Sequence, residues 1–118
     1  MIDFIKAKNA FSEYLKQYDV SDGSIKMKIK HTYEVIYKSE YIAKALGLEK
    51  EDIELAKLIA LLHDIGRFEQ IKETKDFSDN KSFDHADYGA YILFNKGFIR
   101  NFIEDHRYDE IIKTAIIN

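Results

Sequence analysis

A chain of 118 residues with no proline and only five glycines has few places to stop a helix, and that constrains its fold strongly. Proline removes a backbone donor and glycine frees the backbone, so where both are scarce, apolar residues at helical spacing can run on. Ile2, Ile5, Phe11, Leu15 and Tyr18 recur at that spacing and predict a first helix over about 2–18. Asp19 to Ser24 reads as a turn, with Ser24 as the N-cap of the next helix. That second helix is long, expected from about Ile25 to Leu46, with an inner stripe of Ile25, Ile29, Thr32, Val35 or Ile36, Ile42 and Leu46. Gly47 in the C′ position stops it. A third helix, about Lys50 to His63, starts acidic at the positive end of its dipole and then turns apolar on nearly every side. Glu69 to Ser82 is polar and aperiodic and reads as a loop or lid. A fourth helix covers about Asp84 to Asn95 and ends at Gly97, Phe98 to Ile103 suits a short helical turn, and a last helix covers about Tyr108 to Ile117. With no strand and no repeat, the expectation is an all-α bundle of five to six helices forming a single domain over residues 1–118.

Composition narrows the function. Hydrophobic residues make up 46% and charged residues 33%, ordinary for a soluble globular protein. With 18 basic and 21 acidic side chains the net charge is −3, and neither sign is concentrated enough for duplex nucleic acid or a membrane surface. A free nucleotide stays open, because a metal ion can supply the positive charge it needs. The absence of cysteine excludes disulfides, zinc-thiolate sites and thiol catalysis, so any metal site must use His, Asp, Glu and water. Met1 to Lys8 mixes Asp and Lys among its apolar residues, unlike a signal peptide. No apolar run approaches the roughly 20 residues that span a bilayer. The expected location is the cytoplasm.

The pair His63-Asp64 closes the apolar run Leu55 to Leu62 and leads into Ile65-Gly66-Arg67. An imidazole at a helix C-terminus suits the dipole, but a carboxylate at the same end does not. A buried, unpaired carboxylate costs several kcal/mol or becomes neutral, and a divalent cation shared with the imidazole removes that cost. His31, inside the second helix on the edge of its apolar stripe, reads on its own as a core or boundary histidine bonded to a carbonyl. Glu34 lies one turn from it and is either a supporting carboxylate or a solvent-facing one. His106, within Glu104-Asp105-His106-Arg107, reads as a surface histidine.

A His on one helix, followed about thirty residues later by His-Asp-Ile-Gly at the end of an apolar helix, resembles the HD domain superfamily of metal-dependent phosphohydrolases. The run Ala60-Leu61-Leu62-His63-Asp64-Ile65-Gly66-Arg67 carries the resemblance, and His85, four residues before Gly89-Ala90, extends it to the two-metal branches. The resemblance implies that His31, His63 and Asp64 ligate one divalent ion. His85 would then serve a second ion or the substrate phosphate, and Asp64 could bridge two ions. It implies that the full-length form is an enzyme acting on a nucleotide or other small phosphate ester, with Asp64 and Arg67 as the catalytic side chains. Imidazole and carboxylate donors suit Mn, Fe, Co, Ni or Zn better than Ca, and Mg stays among the candidate ions. Gly66 is expected to end the third helix and Arg67 to face the site as a phosphate anchor, unless it is simply a solvated arginine at a helix end.

The superfamily's signature also includes a later Asp, for which this sequence offers no candidate. The chain is therefore expected to be the N-terminal part of a longer domain that lacks its C-terminal helices. The competing account is a natural short form whose gap is filled by water, Asp109 or another subunit. In that second case a catalytically incomplete metal- or nucleotide-binding regulatory module becomes the alternative function. Apolar helix faces left without a packing partner predict a homo-oligomer.

Overall fold

Asp3 starts the first helix by accepting a hydrogen bond from the Lys6 amide (3.1 Å). The computed structural model describes residues 1–75 and 83–118, all of whose regular structure is helical, without a strand. Helix α1 runs Phe4–Leu15 and buries Ala7, Phe11, Tyr14 and Leu15 on one face. It is shorter than the 2–18 expected, because the chain turns after Leu15. Ile2 and Tyr18 still reach the core from outside the helix, whereas Ile5 lies on the exposed side.

Helix α2, Gly23–Ala45, is capped by Asp22 rather than Ser24: the carboxylate accepts from the amides of Ser24 and Ile25. Its buried stripe is Ile25, Thr32, Ile36 and Ala43. Steps of seven, four and seven residues leave Ile42 about 100° off that line, so Ile42 and Leu46, expected inside, are 58% and 70% exposed. Thr32 satisfies its buried hydroxyl by donating to the Lys28 carbonyl (2.9 Å). Gly47 ends the helix with φ +72°, as expected.

Helix α3, Lys50–Leu62, lies against α1, α2 and α7, and its widest interface is with α2. Leu58, Ala60, Leu61 and Leu62 are buried and most of its other side chains partly so, which explains its nearly uninterrupted apolar sequence.

Beyond α3 the structure departs most from expectation. Gly66 does not close α3; it opens a further helix, α4, over Gly66–Thr74. Glu69 to Thr74 is therefore helical, not a loop or lid, and the rest of that expected loop, from 76 to 82, lies outside the described residues. Polar composition hid α4, because only Phe68 and Ile71 give it an apolar face. Phe68 is fully buried edge-on to Phe11 (5.8 Å between centroids), a burial worth roughly 1.5–3 kcal/mol. Gln70 is fully buried too and accepts a hydrogen bond from Arg67 Nη1 (2.8 Å). A phenol chain adds a polar tie: Tyr14 and Tyr18 share a hydrogen bond (2.9 Å), and Tyr18 donates to Glu69 (2.9 Å). Burial pushes both phenol pKa values up, so they remain donors.

Asp84 caps α5, His85–Ala90, which continues through a π-helical turn, Tyr91–Asn95, to Gly97 at φ +81°. Then come α6, Ile99–Phe102, a 3₁₀ turn at His106–Tyr108 and α7, Asp109–Ile117. The approach of α5 to α4 depends on glycine. A Cβ on Gly66 would stand 2.0 Å from the His85 carbonyl oxygen, and one on Gly89 would stand 3.3 Å from Ile65 Cγ2.

Two glycine substitutions should therefore behave oppositely. Gly66→Ala is expected to destabilise by about 1–3 kcal/mol through overpacking. Gly23→Ala, with nothing within 4 Å of the new methyl, should be neutral or stabilise by about 0.4–1 kcal/mol. Urea denaturation of the two variants checks the pair. Equal stability would mean that α5 does not rest on Gly66.

Candidate metal centre

The link between α3 and α4 is three residues long, and its first two are His63 and Asp64. Leu62 and Ile65, both fully buried, flank them, so the polar pair is held in a narrow window of the core surface. Asp64 is only 13% exposed at its side chain. His31 comes to this point from the middle of α2, and its ring centroid lies 6.2 Å from that of His63. Each of His31, His63 and Asp64 offers one donor atom, and these atoms lie within 4.8 Å of one another. Two imidazoles and a carboxylate so converged fit a divalent transition ion, with coordination positions left for water or substrate.

The orientation of His63 supports that fit. Its Nδ1 lies 2.5 Å from the Ala60 carbonyl oxygen, an atom that can only accept, so Nδ1 carries the proton. Nε2 then faces Asp64 Oδ2 at 3.2 Å. An imidazole lone pair opposite a carboxylate oxygen is repulsive unless a proton or a metal ion lies between them. The same Nδ1–H to carbonyl bond fixes the ring of many metal-ligating histidines.

Charges around the pair match this geometry. Burial alone would raise the Asp64 carboxyl, but the hydrogen bond and charge of His63, with the Lys28 ammonium, outweigh it and hold the carboxyl well below the usual range. Burial likewise favours neutral His63, and Asp64 together with the Ala60 carbonyl reverses that and raises its pKa.

The two carboxylate oxygens face different groups. Oδ2 meets His63 Nε2 and, at 3.1 Å, Lys28 Nζ, whereas Oδ1 lies 3.4 Å from His85 Nε2. His85 is the first residue of α5 and arrives through the contact at Gly66. It therefore touches the trio through Asp64, at the oxygen turned away from His63.

The other expected residues are not members of the converging trio. Arg67 is in the first turn of α4 with its guanidinium on Gln70. Glu34 is exposed and lies 4.0 Å from Lys30. His106 is 79% exposed, 3.8 Å from Asp109, which suits a surface histidine. Asp109 is bound to Arg100 at the start of α7. Sequence reasoning missed Lys28, although it lies one turn before His31 on the same helix and so on the same face.

A groove of about 920 Å³ opens elsewhere, lined among others by Ile2, Phe4, Tyr33, Tyr37 and Glu40. None of the four histidines lines it. Lys57 lies 4.5 Å over the Phe4 ring and 3.6 Å from Glu40, so its charge is already matched from within the chain.

A protein-family model described as HD domain matches residues 29–117. That span includes His31, His63, Asp64, Arg67 and His85. No curated protein and no solved structure gives a match.

If the trio is the metal centre, chain equilibrated with Mn²⁺ and freed of excess by gel filtration should retain metal. Asp64→Ala and His63→Ala should bring it to background, and His106→Ala should leave it unchanged. Metal analysis reads the result, and retention by the Asp64→Ala variant would remove the carboxylate from the ligand set.

Proposed function

The chain belongs to the HD domain family, and from that premise we propose that it is a metal-dependent phosphohydrolase acting on a nucleotide or another small phosphate ester. The observation that carries this reading is the convergence of His31, His63 and Asp64, with the His63 lone pair directed at a carboxylate by the Nδ1–Ala60 bond. A divalent ion held there supplies Lewis acidity to a phosphoryl oxygen and lowers the pKa of water.

The chain's own residues divide the remaining work. His31 and His63 are the imidazole ligands, from two different helices. Asp64 would be the carboxylate ligand, and its oxygen facing His85 would be placed to orient water. His85, on that far side, and Arg67, its guanidinium set by the buried Gln70, neutralise charge on the phosphoryl oxygens. Mn, Fe, Co, Ni or Zn suits these donors, with Mg a weaker match and one or two ions per chain.

One observation favours a second reading. The Lys28 ammonium already satisfies Asp64, as it would in a metal-poor regulatory module that keeps the fold without turnover. Bound metal after gel filtration separates the two, since the module predicts none.

We further propose a cytoplasmic protein, in line with its lack of cysteine; among the described residues no helix is long and apolar enough to cross a membrane. A homo-oligomer is supported by Tyr37, Tyr41, Ile42 and Leu46, all strongly exposed along the second half of α2. Light scattering at working concentration should give more than a monomer mass, and a monomer counts against self-association.

For activity, the chain with Mn²⁺ should release phosphate from nucleotides or from p-nitrophenyl phosphate. His63→Ala and Asp64→Ala should each lower the rate by at least about a hundredfold, as expected for groups that bind the ion directly. Circular dichroism checks that the variants remain helical. Undiminished hydrolysis by both variants would overturn the mechanism.

A further inference from the structure

The charge on Lys28 points to a property of the centre that its ligands alone would not reveal. Lys28 Nζ lies 3.1 Å from Asp64 Oδ2, the same oxygen that faces His63 Nε2. Both side chains are largely withdrawn from water, at 14% and 13% exposure, so bulk solvent screens their interaction weakly. Lys28 is held in place by α2, one turn before His31, and the backbone carbonyl of Lys28 is bound by the buried Thr32 hydroxyl. A full positive charge therefore stands next to the point where His31, His63 and Asp64 converge.

We propose that Lys28 is a resident counter-ion that competes with the metal for Asp64, and so sets the ion concentration at which the centre loads. The inference rests on the metal-centre reading above. In the metal-free protein the ammonium, together with His63, compensates a carboxylate that lies nearly buried. When a divalent ion binds, Lys28 must share or yield Oδ2 and then bear like-charge repulsion from the ion. One lysine thus stabilises the empty site and weakens the loaded one.

The two effects have opposite signs, which makes the assignment testable without an activity assay. Lys28→Met keeps the apolar stem and removes the charge. Its metal-free melting temperature should fall, its Mn²⁺ affinity by calorimetry should rise by about tenfold or more, and its Mn²⁺-induced rise in melting temperature should exceed that of the wild type. Lys28→Arg, which keeps the charge, should bind Mn²⁺ nearly as the wild type does. Lys28→Gln keeps a donor for Asp64 without the charge and should also bind more tightly, which guards against poor folding of the methionine variant.

An affinity unchanged or weakened in both neutral variants would overturn the proposal, leaving Lys28 a packing residue. Failure of the wild-type protein to bind Mn²⁺ at all would instead overturn the metal-centre reading on which the proposal stands.

Discussion

Asp64 is a carboxylate in a position where a carboxylate is costly, and much of the structure is arranged around that cost. It follows the most apolar helix of the chain and is only 13% exposed. Three nitrogen groups come to it from three separate helices or their ends: Lys28 from α2, His63 from the end of α3, and His85 from the start of α5. Removing Lys28 or His63 weakens the compensation of that charge in a region of weak screening. The ionised state of Asp64 therefore depends on the packing of helices far apart in sequence, and that packing depends in turn on Asp64 being satisfied.

The steric counterpart of this electrostatic focus is Gly66. Because the position beneath the His85 carbonyl oxygen has room for a hydrogen only, α5 can lie against the elbow between α3 and α4. Gly89 adds a milder constraint from the other side, where a Cβ would stand 3.3 Å from Ile65 Cγ2 and 3.5 Å from the Gly66 amide nitrogen. Helix α4 holds the elbow in place from behind, with Phe68 against Phe11 and the Tyr14–Tyr18–Glu69 chain tying it to the end of α1. A polar nine-residue helix is thus kept in register by one buried ring and one hydrogen-bonded chain, and the geometry of Asp64 depends on it.

These dependencies explain what was legible in the sequence. Long helices with a continuous apolar face, α2 and α3, could be read from periodicity, and Gly47 and Gly97 marked helix ends through positive φ. His31, His63, Asp64 and His85 stood out in the sequence because imidazoles and a carboxylate at those spacings carry chemistry as well as packing, and the structure brings them to one point. Helix α4 was not readable, since its burial rests on Phe68, Ile71 and the polar Gln70, too few apolar positions to set a period. Ile42 and Leu46 misled for the converse reason: side-chain character suggested burial where the helix phase turns them outward. Lys28 was passed over because a lysine on a helix is usually solvated, and only the three-dimensional approach of α2 to the elbow gives it a partner.

The position of the centre also bears on how the fold and the site influence one another. His31, His63 and Asp64 belong to α2 and to the end of α3, the two helices with the widest mutual contact, and His85 brings α5 to the same carboxylate. A cation shared among these groups acts as a cross-link between segments more than thirty residues apart, and whatever binds only the folded arrangement stabilises it by mass action. In the absence of such an ion, the Lys28 ammonium joins α2 to the elbow through the same oxygen. At this point the fold is held by an internal cation, and an acquired ion would do the same. On the proposed reading, a lysine and a metal site can therefore share one carboxylate without leaving the empty protein with an unpaired buried charge.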